Sequence, residues 1–340
     1  MRAWTGPAKR LASRVEAFIR QHMNGETAED FGGLALDIHR WQRGSDPSMH
    51  ALTQYPASHW TEIPAVPVGL FKSLPVGTAS GGPTFRTSGT TGGSRGVHRL
   101  RSTALYDLGS LAWAEHCLPA TPPAIVALLL DPHRFPDSSL SHMVQLFTNW
   151  GGTASWHQQP TGLELRSLQQ RMGTLDEPVF LAATAFALAE WLDHAPPPLP
   201  EGSVLMVTGG FKGRVHRLEG EQLYQATLGQ LAPTHLVTEY GMTELSSQLW
   251  GTPHSAYRPP PWLRAVAVDP RHGTPLDPGV PGQLRFYDLC NLDSSVGIET
   301  LDHGSVDENG LVTLFGRLPG SPARGCSLTA EEAWLQRGSA

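Results

Sequence analysis

Three short apolar runs decide how this chain folds, AIVALLL at residues 124–130, PVFLAAT at 178–184 and GSVLMVTGG at 202–210, and HLVTEYG at 235–241 reads as the next strand. Each of the three is short for a helix and too uniformly apolar for a strand with one wet face. That is the pattern of strands covered on both sides. Helical spacing fills the intervals, over 102–117, 138–150, 162–173, 185–194 and 214–230. Helix and strand therefore alternate across 100–241, which predicts a mostly parallel sheet covered by helices.

The texture changes on both sides of this core. Upstream, Leu11, Val15, Phe18, Ile19 and Met23 recur at spacings of three and four, so 8–23 reads as an amphipathic helix, and 26–42 reads as a weaker one. PASHWTEIPAVPVGLFKSLPVG (56–77) is studded with prolines and reads as extended. Downstream, WLRAVAVD, GQLRFYD, GIETLDHG and LVTLFGR are short strands separated by Pro, Gly and Asn turns. The expected organisation is an N-terminal helical and extended region (1–83), an α/β core (84–250), a β-rich subdomain (251–317) and a short C-terminal segment (318–340).

Composition narrows the function. The 340 residues suffice for one large domain or two ordinary ones, and 40% hydrophobic content can fill a core. With 36 glycines and 29 prolines the chain is loop-rich. A net charge of −6 argues against a general nucleic-acid or anionic-membrane binder. Cys117, Cys290 and Cys326 are far apart with no CxxC pair, so neither a cysteine-based zinc site nor a disulfide framework is expected. No apolar run reaches the ~18 residues of a membrane span, and the N-terminus lacks a signal-peptide core. A cytoplasmic protein is the expectation. The fifteen histidines are dispersed without HExxH or HxH, so a metal-hydrolase reading lacks ligands.

Three segments carry chemistry. Thr87-Ser88-Gly89-Thr90-Thr91-Gly92-Gly93-Ser94-Arg95-Gly96 packs four glycines and five hydroxyls into ten residues. Backbone N–H groups turned inward by glycine, with hydroxyls beside them, make an anion cradle of the kind that grips phosphates. A surface loop is the alternative; a Walker A loop is not, because GxxxxGK[ST] is absent. Glu239-Tyr240-Gly241-Met242-Thr243-Glu244 ends a buried strand, where ligands of open α/β sheets bind. Its aromatic ring, hydroxyl and carboxylate suit a base, a phosphate and Mg²⁺, the last commonly held by one or two protein carboxylates. Thr300-Leu301-Asp302-His303-Gly304 is followed by Gly316-Arg317, fifteen residues after the Asp.

Together these segments resemble the adenylate-forming superfamily of acyl-CoA synthetases, luciferases and peptide-synthetase adenylation domains. TSGTTGGSRGV is similar to its TSGTTGxPKGV loop, EYGMTE to its YGxTE motif and VTGGFKG to its adenine-side glycine pair. LDHG followed by GR is similar to its ribose-binding Asp and Arg. The resemblance spans roughly 84–320. It implies the fold of that superfamily's N-terminal domain, ATP and Mg²⁺ as cofactors, and acid activation as the reaction. It implies that Ser88, Gly89, Thr90, Thr91 and Gly92 hold the phosphates. Gly209 and Gly210 would lie against the adenine, with Tyr240 stacked on it and Gly241 beside it. Thr243 would touch the α-phosphate, Glu244 would bind Mg²⁺, and Asp302 and Arg317 would hold the ribose. Arg95 stands where the motif has Lys, and its planar fork is not equivalent to an ammonium. Only 23 residues follow Arg317, so the superfamily's C-terminal domain and its catalytic lysine are expected to be missing.

A narrower resemblance covers about 60–335. IPAVPVGLFKS, PPPWLRAVAVDPRHGTPLDPGVPGQLRFYD and RGCSLTAEEAW are similar to segments of the acyl-protein synthetase (LuxE-like) family. That family implies Cys326 as the residue that accepts the acyl group and passes it to a partner protein, a reductase or a carrier. Arg324 and Arg317 could lower its pKa if folded close. Cys117, on an expected helix, and Cys290, in an expected strand, read as packing residues. Two alternatives stay open: direct transfer to coenzyme A or a carrier thiol, and a nucleotide-binding subunit without turnover. Phe186, Trp191 and Phe211 fall on segments expected to line the acid pocket, and His142 near its carboxylate.

Overall fold

The computed structural model describes residues 4–52, 56–79, 81–87, 95–120, 122, 124–209 and 220–318. They group into two compact units. One is drawn from Met1–Ala112, Met242–Gln248 and Ala256–Ala340, the other from Trp113–Gly241 and Leu249–Ser255. Residues 84–112, read from the sequence as the start of the α/β core, cluster with the first unit.

The first unit opens with helix α1 (Gly6–Met23), which buries Leu11, Val15, Phe18 and Ile19 at the expected spacing. Helix α2 (Phe31–Ser45) starts at Asp30, whose carboxylate accepts the Gly33 N–H at 2.7 Å. A short helix α3 (Pro47–Leu52) follows. The proline-rich stretch is less extended than expected. It holds 3₁₀ turns at Trp60–Glu62 and Val68–Lys72 around strand β1 (Val66–Pro67). A 3₁₀ turn needs few i→i+3 bonds, so prolines can flank it without breaking it. Strands β2 (Thr84–Arg86) and β3 (Val97–Arg99) then pair antiparallel and lead into α4 (Ala104–Cys117).

The second unit is the layered core that the apolar runs predict. Its elements are β4 (Ala124–Leu130), α5 (Ser139–Leu146), β5 (Thr153–Gln159), β6 (Gly162–Leu163), α6 (Leu165–Met172), β7 (Val179–Thr184), α7 (Ala185–Leu192), β8 (Val204–Thr208), α8 (Glu221–Leu231), β9 (His235–Tyr240) and β10 (Leu249–Gly251). The strand order is β10-β9-β8-β7-β4-β5-β6. From β9 to β5 the strands run parallel, and β10 and β6 close the edges antiparallel. Val126, Leu128, Leu181, Ala183, Leu205 and Val207 pack with Leu188 and Trp191 of α7 and Leu223 and Leu231 of α8 into one core. Burial of such side chains stabilises by roughly 1.5–3 kcal/mol each.

The first unit is completed by β11 (Leu263–Val268), β12 (Gly282–Asp288), β13 (Gly297–Val306) and β14 (Val312–Arg317), which pair antiparallel in sequence order. Strand β1 adds parallel to β13, with Val66 opposite Ile298. The β-rich texture after residue 250 is therefore a real sheet. No described helix is long and apolar enough to cross a membrane.

Candidate functional site

The glycine- and hydroxyl-rich segment falls between strands β2 and β3 in the sequence. Ser88, Gly89, Thr90, Thr91 and Gly92 lie outside the described residues, but the stem is described. The Thr87 N–H donates to the Gly96 carbonyl at 3.0 Å, and the Gly96 N–H donates to Thr87 Oγ1 at 2.9 Å. Arg95 donates from Nε to the Thr87 carbonyl (2.6 Å) and from Nη2 to that of Arg86 (3.2 Å). The residue at the motif's lysine position thus braces the loop's own stem.

Glu244 meets that stem. A Cβ built on Gly96 would lie 3.0 Å from Thr87 Cγ2 and 3.4 Å from Glu244 Oε1. A side chain here would press on the Thr87 methyl and touch the carboxylate at van der Waals distance. Glu244 is 6% exposed, so its carboxyl group is held at the stem and largely out of water.

A buried polar turn, Asp288–Val296, fixes the segment that carries Thr243 and Glu244. Asn291 Nδ2 donates to the Glu244 carbonyl at 2.9 Å and to that of Ser295 at 3.2 Å. Asp288 accepts the Ser246 N–H (3.0 Å), the Ser247 hydroxyl (2.9 Å) and the Cys290 N–H (2.9 Å). Burial pushes its carboxyl up to about 6, against the pull of these three donors. Asp293 accepts the Arg101 N–H at 2.7 Å and Trp4 Nε1–H at 2.9 Å. Gly77, at φ +105°, passes so close to the Asp293 carbonyl that a Cβ would sit 2.3 Å from its oxygen. The sequence reading missed this turn, because NLDSSV has no motif and looks like an ordinary surface loop. It also missed His98, 0% exposed, whose Nδ1 lies 2.7 Å from the Thr243 carbonyl oxygen and Nε2 2.8 Å from Ser294 Oγ.

Asp302 and Arg317 are brought together. They face each other across the β13–β14 ladder, with Arg317 Nε 3.5 Å from Asp302 Oδ1. Both side chains are partly exposed.

In the second unit, β8 and β9 end side by side, with Thr208 opposite Glu239 and its hydroxyl bonded to the Glu239 carboxylate. Gly209 follows β8 at φ +67°, a left-handed turn suited to glycine. Tyr240 is the last residue of β9, paired with Leu249 of β10, and Gly241 follows it. Gly209 and Tyr240 therefore stand at adjacent carboxyl ends of parallel strands. Gly210 and Phe211 lie outside the described residues.

Several expectations need revision. Trp191 does not face a pocket; it is 1% exposed within the helix–sheet core. Cys290 is not in a strand but in the turn after β12, where burial pushes its thiol well up and keeps it un-ionised. Phe186 and His142 are half-buried on α7 and α5. Cys117 is half-buried at the end of α4, and Cys326 lies outside the described residues. Among the described residues no group of three or more His, Cys, Asp or Glu could hold a metal ion by itself. An Mg²⁺ shared with phosphate oxygens needs only one or two carboxylates.

No protein-family model and no curated protein sequence matches the chain. Solved structures do. O-succinylbenzoate coenzyme A synthetase from Bacillus subtilis in complex with AMP matches at 18% identity and a TM-score of 0.50, covering 69% of this chain and 49% of that one. The same enzyme with ATP and magnesium matches at 19% identity and a TM-score of 0.50, with the same coverage. A double mutant of it bound to a product analogue gives a TM-score of 0.51 at 18% identity, again over 69% and 49%. The chain spans about half the length of these structures. Over about 69% of its residues it shares the α/β fold, with mixed sheets, of this synthetase.

Proposed function

We propose that the chain activates a carboxylic acid with MgATP and passes the acyl group to a thiol. The observation that carries this reading is the seat of Glu244, its carboxylate buried against Gly96 at the stem of the glycine- and hydroxyl-rich hairpin. An acidic group would repel a phosphate there unless a cation lies between them, so the pairing suits a metal-bound polyphosphate. The fold supports the reading, since the synthetase that shares it is seen with ATP and magnesium.

In the first step a carboxylate oxygen of the acid attacks the α-phosphorus. The bond to the β-phosphate oxygen breaks, and pyrophosphate leaves with the electron pair. Backbone N–H groups and the hydroxyls of Ser88, Thr90 and Thr91, with Gly89 and Gly92, would hold the phosphates, and Thr243 would meet the α-phosphate. Magnesium, when bound, supplies charge neutralisation at the phosphate oxygens, and Glu244 would hold it. Asp302 and Arg317 would take the ribose, and Gly209, Gly210, Tyr240 and Gly241 the adenine. Arg95 would keep the stem in shape and add positive charge near the phosphates. In the second step a thiolate attacks the acyl carbonyl, the bond to the phosphate oxygen breaks, and AMP leaves.

For the thiol, we infer Cys326 of this chain, giving an acyl-enzyme that passes the group to a reductase or carrier protein, as in the LuxE-like family. Direct transfer to coenzyme A is the second reading, favoured by the fold shared with a coenzyme A synthetase. Acid-dependent exchange of labelled pyrophosphate into ATP, run over fatty and aromatic acids, tests the first step. Activity that Glu244→Gln abolishes is expected; no exchange with any acid and any partner contradicts it and leaves a subunit without turnover. An acyl adduct lost in Cys326→Ala supports the acyl-enzyme, whereas one that survives refers the transfer to another thiol.

A further inference from the structure

The Thr243–Glu244 backbone is held by two side chains, and one belongs to the strand that leaves the phosphate-loop hairpin. His98, on β3, lies two residues beyond Gly96 and reaches the Thr243 carbonyl, while Asn291 holds the next carbonyl, that of Glu244. Both peptide oxygens are committed, so this backbone has one orientation relative to the stem. We propose that His98 is a positioning residue that sets Thr243 and Glu244 against the hairpin stem at Thr87 and Gly96 for MgATP, acting as the neutral tautomer protonated on Nδ1.

The partners dictate the tautomer. A carbonyl oxygen only accepts, so the Nδ1 facing Thr243 must carry the proton. A neutral imidazole has one N–H, so Nε2 accepts from the Ser294 hydroxyl at 2.8 Å. Phe71 packs edge-on against the ring at 5.9 Å between centroids. With no water contact and both nitrogens engaged, the ring has one orientation, and burial holds it neutral.

The inference rests on the proposed nucleotide site, and one series of variants separates the two. MgATP binding is measured by calorimetry, and pyrophosphate exchange gives KM values, for wild type, His98→Leu, His98→Asn, His98→Gln and Ser294→Ala. Ring-nitrogen NMR of the wild type reads the tautomer. The expected result is a single Nδ1–H form. His98→Leu weakens MgATP about tenfold or more with the KM for the acid unchanged. His98→Asn, whose amide N–H sits near the Nδ1 position, recovers most of the loss. His98→Gln, which reaches the Nε2 position, recovers less, and Ser294→Ala shows a loss of a few-fold. A folded His98→Leu that binds MgATP like wild type, an Nε2–H ring, or rescue by Gln equal to that by Asn overturns the inference alone. If His98→Leu fails to fold, the Asn and Gln comparison still decides it. A wild type that binds no MgATP overturns the proposed function and this inference with it.

Discussion

The sheet of the second unit and the Asp288–Val296 turn of the first hold their candidate residues by opposite means. Around β8 and β9 the support is apolar: Leu205, Val207, Leu181 and Trp191 form a close-packed layer, and Gly209 and Tyr240 follow from where the strands stop. Around the turn the support is polar. Asp288, Asn291 and Ser294 are fully buried; Asp288 and Asn291 tie down Glu244, Ser246 and Ser247 through directed hydrogen bonds, and Ser294 anchors His98, which faces the Thr243 carbonyl. An apolar layer tolerates repacking. A buried polar network is satisfied as a whole or fails, because each lost partner leaves a desolvated group behind.

That contrast can be broken by substitution. Trp191→Ala empties a large, fully buried site and is expected to cost about 4 kcal/mol in denaturant unfolding. Asp288→Ala removes only a carboxylate but strands the Ser246 and Cys290 N–H groups and the Ser247 hydroxyl. Its expected cost is about 3 kcal/mol, with weakened MgATP binding as well. An Asp288→Ala protein that melts with wild type would show the polar turn to be no more than a filled loop.

Acid sharpens the comparison further. The His98 pKa is pushed down to about 4 by burial, from 6.5 in the unfolded chain. A depressed pKa means that the folded state resists protonation, so the stability His98 contributes is present above pH 6.5 and is lost as the pH falls towards 4. Asp288 runs the other way, since its raised pKa of about 6 favours the folded state as the pH drops below 6. The sum hides both, and a difference curve isolates one. The stability of wild type relative to His98→Asn should fall by up to about 3 kcal/mol between pH 6.5 and 4; a flat difference contradicts the burial of this ring. The smallest expected effect is Thr184→Ala. The Thr184 hydroxyl caps α7 by accepting the Ala187 N–H at 3.2 Å, and its loss should cost about 1 kcal/mol without touching nucleotide binding.

The sequence made the apolar half of the molecule legible. AIVALLL became β4 residue for residue and GQLRFYD became β12, because runs with one burial pattern have few other ways to fold. Strand β5, TASWHQQ, escaped notice: it is polar and only partly buried, and β4 rather than its own pattern recruits it. Helix α3 begins at Pro47, separated by one residue from the end of α2, and is too short to show a period. Of the proposed site residues, the hairpin stem, Glu244 and the Asp302–Arg317 pair carry local motifs that mark them in the sequence. His98 and Asn291 do not, since their partners lie 145 and 47 residues away and no local pattern marks them.

The central claim is that the hairpin stem and Glu244 serve one bound MgATP. A double-mutant cycle on Gly96→Val and Glu244→Gln, read as MgATP affinity by calorimetry, tests it directly. A valine at 96 pushes against the carboxylate and Thr87, so each change should weaken binding by about tenfold or more, and the pair should weaken it by less than the product, as coupled neighbours do. Wild-type affinity in both single variants, or independent effects that simply multiply, would contradict it.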